Sequence, residues 1–336
     1  MVFITKTPDI TFSKPAFCGI LANTLLSTVP GVSGAGPTAE KTLLTPILDA
    51  ELIVNGYISS MPLKPNTPSG CPTPASITRA MMELTGVTPV FINAGLYYPP
   101  TVPVLEAGGH AGNDPRHGDA VPQASELFTQ GERIGKSLST CSDMLVLGEC
   151  VPGGTTTALC VLRALGRHAR VSSSFVNNPI GLKEEICIDA LKRFPLHHVI
   201  DPLQIIRMTG DPMMPVAAGI AHTYQGKLVL AGGTQMLAVC GIIKALNYDL
   251  PLVVTTVYVR DDTSANVPSL AEELSVDIIY IDPGFEDLGH SGLARYCIGE
   301  VKEGMGAGGA MFLAYLMGYT PEVIRKKIFE IIHVYS

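Results

Sequence analysis

The chain has 336 residues, 46% hydrophobic and 16% charged, with a formal net charge of −7 and no tryptophan. That is enough apolar chain for a sizeable core, which excludes a disordered protein, and it allows one large domain or one domain with a small appendage. No Lys/Arg run relieves the acidic balance, so the basic footprint of a nucleic-acid binder is missing.

Residues 1–14 lack the charged-then-apolar order of a signal peptide, and a cytoplasmic protein is expected. The chain to about residue 80 is rich in Pro and Thr. Thr67-Pro68-Ser69-Gly70 and Pro72-Thr73-Pro74 precede a helix expected over about 75–84. Leu52-Ile53-Val54 before Asn55-Gly56 reads as a buried strand, and so does Val90-Phe91-Ile92 before Asn93-Ala94-Gly95. A helix over about 123–138 follows, with Leu127, Phe128, Ile134 and Leu138 on one face.

Met144-Leu145-Val146-Leu147 before Gly148-Glu149 is the next strand, and a helix over 156–165 comes after it. Ala169-Arg170-Val171 is strand-like and runs into Ser172-Ser173-Ser174. Helices are expected over 182–192, 202–208 and 235–246, and strands over 228–230, 252–259 and 278–281. The uncharged stretch 304–321 is Gly-rich and shorter than the ~20 apolar residues a membrane span needs, so it reads as a buried helix. A last helix, 321–333, should turn Ile324, Ile328, Ile331 and Ile332 inward.

Unbroken apolar runs suit strands covered on both faces, and strands alternating with helices predict a doubly wound, mostly parallel α/β sheet, Rossmann-like and three-layered. A core over 86–318 is expected. Part of residues 1–85, joined by the helix in 319–336, should supply a small helical subdomain. In such folds ligands sit at the carboxyl ends of the strands.

Several motifs mislead. Gly131-Glu132-Arg133-Ile134-Gly135-Lys136-Ser137 is one residue short of a P-loop and lies inside a helical pattern. Gly304-Met305-Gly306-Ala307-Gly308-Gly309 fits G-x-G-x-x-G but has no βαβ unit after it. The eight cysteines form no C-x-x-C pair, so reduced and mostly buried thiols are expected. His110, Asp114, His117 and Asp119 share a polar loop that reads as solvated, and no metal site is expected.

Two segments carry chemistry. Gly148-Glu149-Cys150-Val151-Pro152-Gly153-Gly154-Thr155-Thr156 links a strand to a helix start, where backbone N–H groups and the helix dipole favour an anion. Lys302-Glu303-Gly304-Met305-Gly306 sets a carboxylate at a Gly-rich helix start. Burial there would raise its basicity; the simpler reading is an acid complementing the helix dipole.

In their order along the chain these pieces resemble the nicotinate-nucleotide:dimethylbenzimidazole phosphoribosyltransferases of cobalamin synthesis, and more narrowly their archaeal and cyanobacterial related branch. The bacterial G-E-M-G-I-G-N-T-T is matched by residues 148–156. D-P-L-x-x-L-x-x-x-G-G is matched by Asp201-Pro202-Leu203 through Gly210-Asp211, and a strand ending D-G-F, more loosely, by Ala231-Gly232-Gly233. E-P-G-H is matched by Glu286-Asp287-Leu288-Gly289-His290, and G-E-G-T-G-A-A by residues 302–308. The likeness spans about 125–312. It departs at Pro152-Gly153-Gly154 and at Asn93-Ala94-Gly95, where the bacterial enzymes have I-G-N and D-H-G.

The resemblance implies transfer of the phosphoribosyl group of nicotinate mononucleotide to a benzimidazole-type base, by a homodimer that needs no metal or cofactor. It makes Glu303 the catalytic base and Glu149 the second, orienting carboxylate. Gly153, Gly154, Thr155, Ser173, Gly210, Asp211, Gly232 and Gly233 are the expected phosphate and ribose cradle, and Gly304, Met305 and Gly306 the active helix start. No nucleic-acid or membrane partner is expected. An NAD(P)-dependent oxidoreductase and a non-catalytic nucleotide binder remain as alternatives.

Overall fold

The computed structural model describes residues 2–61, 64–67, 69–194 and 201–335; Pro68 lies outside them. Seven strands form one sheet: β1 (Pro15–Ala22), β2 (Pro89–Gly95), β3 (Leu105–Glu106), β4 (Met144–Cys150), β5 (Lys227–Ala231), β6 (Leu252–Thr256) and β7 (Ile278–Ile281). Their order is β3-β2-β1-β4-β5-β6-β7 and every neighbouring pair is parallel. The order reverses between β1 and β4, which makes their carboxyl ends the switch point of the doubly wound fold.

Between and after the strands run α1 (Ala39–Asn55), α2 (Pro74–Thr85), α3 (Ala124–Leu138), α4 (Gly154–Ala164), α5 (Ile180–Leu191), α6 (Pro202–Thr209) and α7 (Met213–Thr223). Then come α8 (Thr234–Ala245), α9 (Val257–Arg260), α10 (Val267–Leu274), α11 (Ala294–Cys297), α12 (Ala307–Leu316) and α13 (Pro321–Tyr335). The sheet separates two cores. In β4, Leu145 and Leu147 join the core built with α3 to α8 and α10, while Met144 and Val146 join the one built with α1, α2, α12 and α13. Burial on both faces is why these strands read as unbroken apolar runs.

The N- and C-terminal segments meet where α13 packs on α2, with Ile324, Ile328, Ile331 and Ile332 buried. The N-terminal segment also supplies β1, in the middle of the sheet, so the sheet crosses the expected boundary at residue 85. Pro15, Cys18 and Gly19 interrupt the β1 pattern and hid it. Gly19 is required because a β-carbon there would lie 2.8 Å from the Phe91 ring of β2.

Three sequence expectations are corrected. Leu52-Ile53-Val54 is the last stretch of α1, not a strand. Thr38 caps the start of that helix by accepting from the Lys41 N–H, and Gly56, at φ 80°, ends it. A short apolar run before Gly fits either element. The run 252–259 leaves the sheet after Thr256 and turns into α9. Ala169-Arg170-Val171 forms no strand: the Arg170 N–H donates to the Asn266 side chain and its carbonyl accepts from the Asn266 N–H.

The P-loop look-alike lies in α3, where Gly131 and Gly135 pack on Val216 and Ile220 of α7 too closely for side chains. Beside the sheet's edge strand β7, residues 3–5 run antiparallel, with Thr5 N–H donating to Tyr280 O and Asp282 N–H to Phe3 O. Cys141 and Cys297 are exposed, the other six cysteines are buried, and all eight are free thiols. Among the described residues no helix is long and apolar enough to cross a membrane, and no His/Cys/Asp/Glu cluster fits a metal. Asp114 pairs with Arg116, and Asp119 with Arg193 and Arg207.

Candidate active site

A cavity of about 1030 Å³ opens at the switch point. Its walls are the loop after β1, the β4–α4 turn, the start of α8, the serines at 172–174 and the turn before α12.

Glu149 and Glu303 both line it. They are brought together by backbone. The Met305 N–H donates to the Glu149 carbonyl at 2.9 Å, and the Met305 carbonyl accepts from the Thr78 hydroxyl at 2.9 Å. Gly306, at φ 67°, lies so close to Gly148 that a β-carbon on it would sit 3.0 Å from the Gly148 Cα. Met305, at φ 48°, and Gly306 therefore stand behind the cavity wall as its frame, while Gly304 lines it. Gly309 packs on Ala231 and Val146 of the sheet, so the G-x-G-x-x-G glycines serve packing.

Glu149 is buried. One oxygen accepts from Gln235 Nε2 at 2.7 Å and from the Val151 N–H at 3.2 Å. Burial pushes its carboxyl up to about 8, with the charges of Asp211 and Glu303 adding to the shift. Glu303 accepts from the N–H groups of Gly304 at 3.2 Å and Gly308 at 3.2 Å, and from the Thr255 hydroxyl at 3.4 Å. Burial pushes it up to about 7, against the pull of those donors. It thus complements the start of α12 and also faces the cavity.

Gly153, Gly154, Thr155, Ser173 and Gly233 line the cavity as well. Gly153, at φ 80°, caps α4, and a side chain on Gly154 would strike the Gln235 amide. Gly210, Asp211 and Gly232 stand outside its lining. Asp211 is fully buried, accepts the Thr157 hydroxyl at 2.6 Å, and is pushed up to about 6 by burial. Gly210 packs on Ile206, and Gly232 against Met236.

The sequence reading missed a pair of buried lysines. Lys183 Nζ donates to Thr155 Oγ1 at 3.0 Å and to the Ser172 carbonyl at 2.6 Å. Lys302 Nζ donates to the Ser173 carbonyl at 2.8 Å and lies 3.3 Å from Asp262. Burial, then the charge of Lys302, lowers Lys183 to about 7, and burial also lowers Lys302. One carboxylate, Asp262, is paired with Lys302 and only adds a weaker electrostatic pull on Lys183. Burial would raise Asp262, but the Ser172 and Ser264 hydroxyls and Lys302 hold it below its ordinary value. Lys183 follows Gly181-Leu182 and precedes two glutamates, which disguises it as a solvated position. Also missed were Asp49 of α1 and the loop around Ser33 and Gly34, both on the cavity wall.

The UPF0284 protein of Methanosarcina acetivorans is 42% identical over 335 residues, covering 97% of this chain and 95% of that protein. The chain belongs to the UPF0284 family. UPF0284 proteins of Thermococcus onnurineus, 42% identical over 318 residues (93% of this chain, 95% of the relative), and Pyrococcus furiosus, 38% identical over 324 (95% and 98%), match it as fully. No family model matches. Among solved structures, the nicotinate-nucleotide-dimethylbenzimidazole phosphoribosyltransferase of Thermus thermophilus superposes with a TM-score of 0.60 at 17% identity, over 96% of this chain and 83% of that one. A structure of CobT from the same organism gives 0.61 at 16%, over 96% and 84%. The UPF0284 chain and these proteins share a fold.

Proposed function

We propose that the protein is a phosphoribosyltransferase. It moves the phosphoribosyl group of nicotinate mononucleotide to a ring nitrogen of a benzimidazole-type base, giving an α-ribazole phosphate and free nicotinate for the lower ligand of a cobamide. One observation carries the reading. A buried carboxylate raised toward neutral pH, Glu303, shares a cavity at the switch point with Lys302, and Lys183 stands behind the same wall, bonded to its residues Thr155 and Ser172. The fold shared with the Thermus enzyme supports it.

The phosphate binds beside the start of α4, where Gly153 and Gly154 expose backbone and Lys183 and Lys302 supply charge. The pyridinium leaves without acid assistance, because breaking its bond to C1′ neutralises it. The ribose gains oxocarbenium character, and the base nitrogen attacks C1′ from the opposite face, inverting the configuration. As that bond forms the base's other N–H becomes acidic, and Glu303 takes the proton. Glu149, still protonated near pH 7, donates a hydrogen bond and orients the substrate.

The test is incubation with nicotinate mononucleotide and a panel of bases, with nicotinate and the new ribotide followed by chromatography. Stoichiometric appearance of both supports the reading. No nicotinate release with any base overturns it.

A further inference from the structure

We propose that Asp49 selects the acceptor, favouring a fused imidazole base that carries an N–H or O–H donor on its six-membered ring over one that carries only methyl groups there. The proposal rests on the transfer reading above and concerns the part of the substrate that reading leaves open.

Asp49 projects from α1 into the cavity wall and is only 9% exposed. Its oxygens receive one protein donor each: the Thr73 hydroxyl at 3.0 Å and the weak Cys150 thiol at 3.6 Å. A carboxylate offers about four acceptor positions, so about half of its capacity is unused. No lysine or arginine pairs with it among the described residues. A buried carboxylate with neither counter-charge nor a full set of donors is costly, and a ligand that brings a donor removes part of that cost. A second acceptor on the same wall, Asn66 Oδ1, is buried with no donor among the described residues.

The position suits the acceptor rather than the nucleotide. Cys150 directly follows Glu149. Thr73 precedes Pro74, which lies against Gly304, the neighbour of Glu303. A base whose imidazole N–H meets Glu303 therefore turns its six-membered ring toward the wall that holds Asp49. Negative charge there repels a phosphate or a nicotinate carboxylate and accepts a neutral base. A methyl group against Asp49 would bury its free lone pairs without repayment, which is how polar sites reject analogues lacking the donor.

The experiment compares kcat/KM at saturating nicotinate mononucleotide for benzimidazole, 5,6-dimethylbenzimidazole, 5-hydroxybenzimidazole and adenine. The donor-bearing bases should lead the dimethyl base by about 10-fold or more. Asp49→Ala should remove that lead. Asp49→Asn keeps the shape and serves if the alanine variant fails to fold; it should shrink the lead several-fold. Transfer with an equal or reversed preference, or a preference unchanged in the folded variants, overturns the role of Asp49 and leaves the transfer reading intact. No transfer to any base overturns both.

Discussion

At one side of the cavity Lys302 is buried against a single carboxylate, Asp262, with Lys183 buried behind the same wall. On the other, Asp49, Glu149 and Glu303 are gathered with no basic side chain paired to any of them among the described residues. No ion pair joins the two groups, although Lys302 and Glu303 are neighbours in sequence. Lys302 turns toward the Ser173 carbonyl, and Glu303 toward α12 and Thr255. A fold optimised for stability alone would let them neutralise one another. Keeping them apart leaves one side short of negative charge and the other short of positive charge. Such displaced titration marks functional sites, and the substrates proposed above would carry what each side lacks: a phosphate for the lysines, hydrogen-bond donors for the acids.

The comparison breaks most sharply at Glu303. Glu303→Gln keeps the shape and the backbone donors but cannot take a proton. Turnover should fall about 10²–10⁴-fold, or about 2.7–5.5 kcal/mol in the barrier, while the dissociation constant of nicotinate mononucleotide stays near wild type. Calorimetry for binding and single-turnover chromatography for chemistry separate the two. Undiminished turnover in the folded variant would sink the assignment.

Next come the lysines, which should not behave alike. Lys183→Met removes a desolvated charge repelled by Lys302, so the free protein should keep or gain stability while nucleotide affinity falls roughly 10–100-fold, the worth of one charge-assisted hydrogen bond. Lys302→Met strands Asp262, buried and unpaired, and should cost about 3–5 kcal/mol of stability. Denaturant titration with and without nucleotide reads both. Equal destabilisation by the two changes would mean that the lysines form one structural unit.

The smallest effect is on stability against pH. The acids are raised, so the folded chain holds protons that the unfolded chain has released: Asp49 and Asp211 up to about 6, Glu303 to about 7, Glu149 to about 8. Stability should therefore fall as pH rises from about 4 to 8. Lys183 is lowered to about 7, so above that pH the unfolded chain binds the extra proton and stability recovers toward the ordinary lysine range. A Tm minimum in the unliganded protein near pH 7–8 is expected, made shallower on its alkaline side by Lys183→Met. A flat profile would mean that the two sides compensate each other.

Much of the fold was legible because burial on both faces leaves apolar runs such as Met144-Leu145-Val146-Leu147, and several of them alternating with helical stretches point to a covered parallel sheet. β1 was not, because close contact with Phe91 requires Gly19 in the middle of its run. Nor was the end of α1, since Leu52-Ile53-Val54 before Gly suits either element until the Thr38 cap is seen. At the site, Glu149 and Glu303 stood out by motif and both lie on the cavity. Lys183 and Asp49 carry no local signal: each acquires its role from residues more than ten positions away, Lys183 from Ser172 and Thr155, Asp49 from Thr73 and Cys150. Gly210 and Asp211 show the converse, a motif match whose residues stand outside the cavity lining, Gly210 against Ile206 of α6 and Asp211 bonded to Thr157 of α4.

The antiparallel run of residues 3–5 along β7 also has a practical side. A parallel sheet with a bare outer strand is a template on which a second molecule can add its own strand, and such additions propagate into precipitate. Here one margin is covered by residues 3–5 and the other is β3, only two residues long. Trimming the first six residues, or fusing a bulky tag directly ahead of them, would uncover the β7 margin. A recombinant form meant to stay dispersed at high concentration should keep residues 3–5 intact and unencumbered.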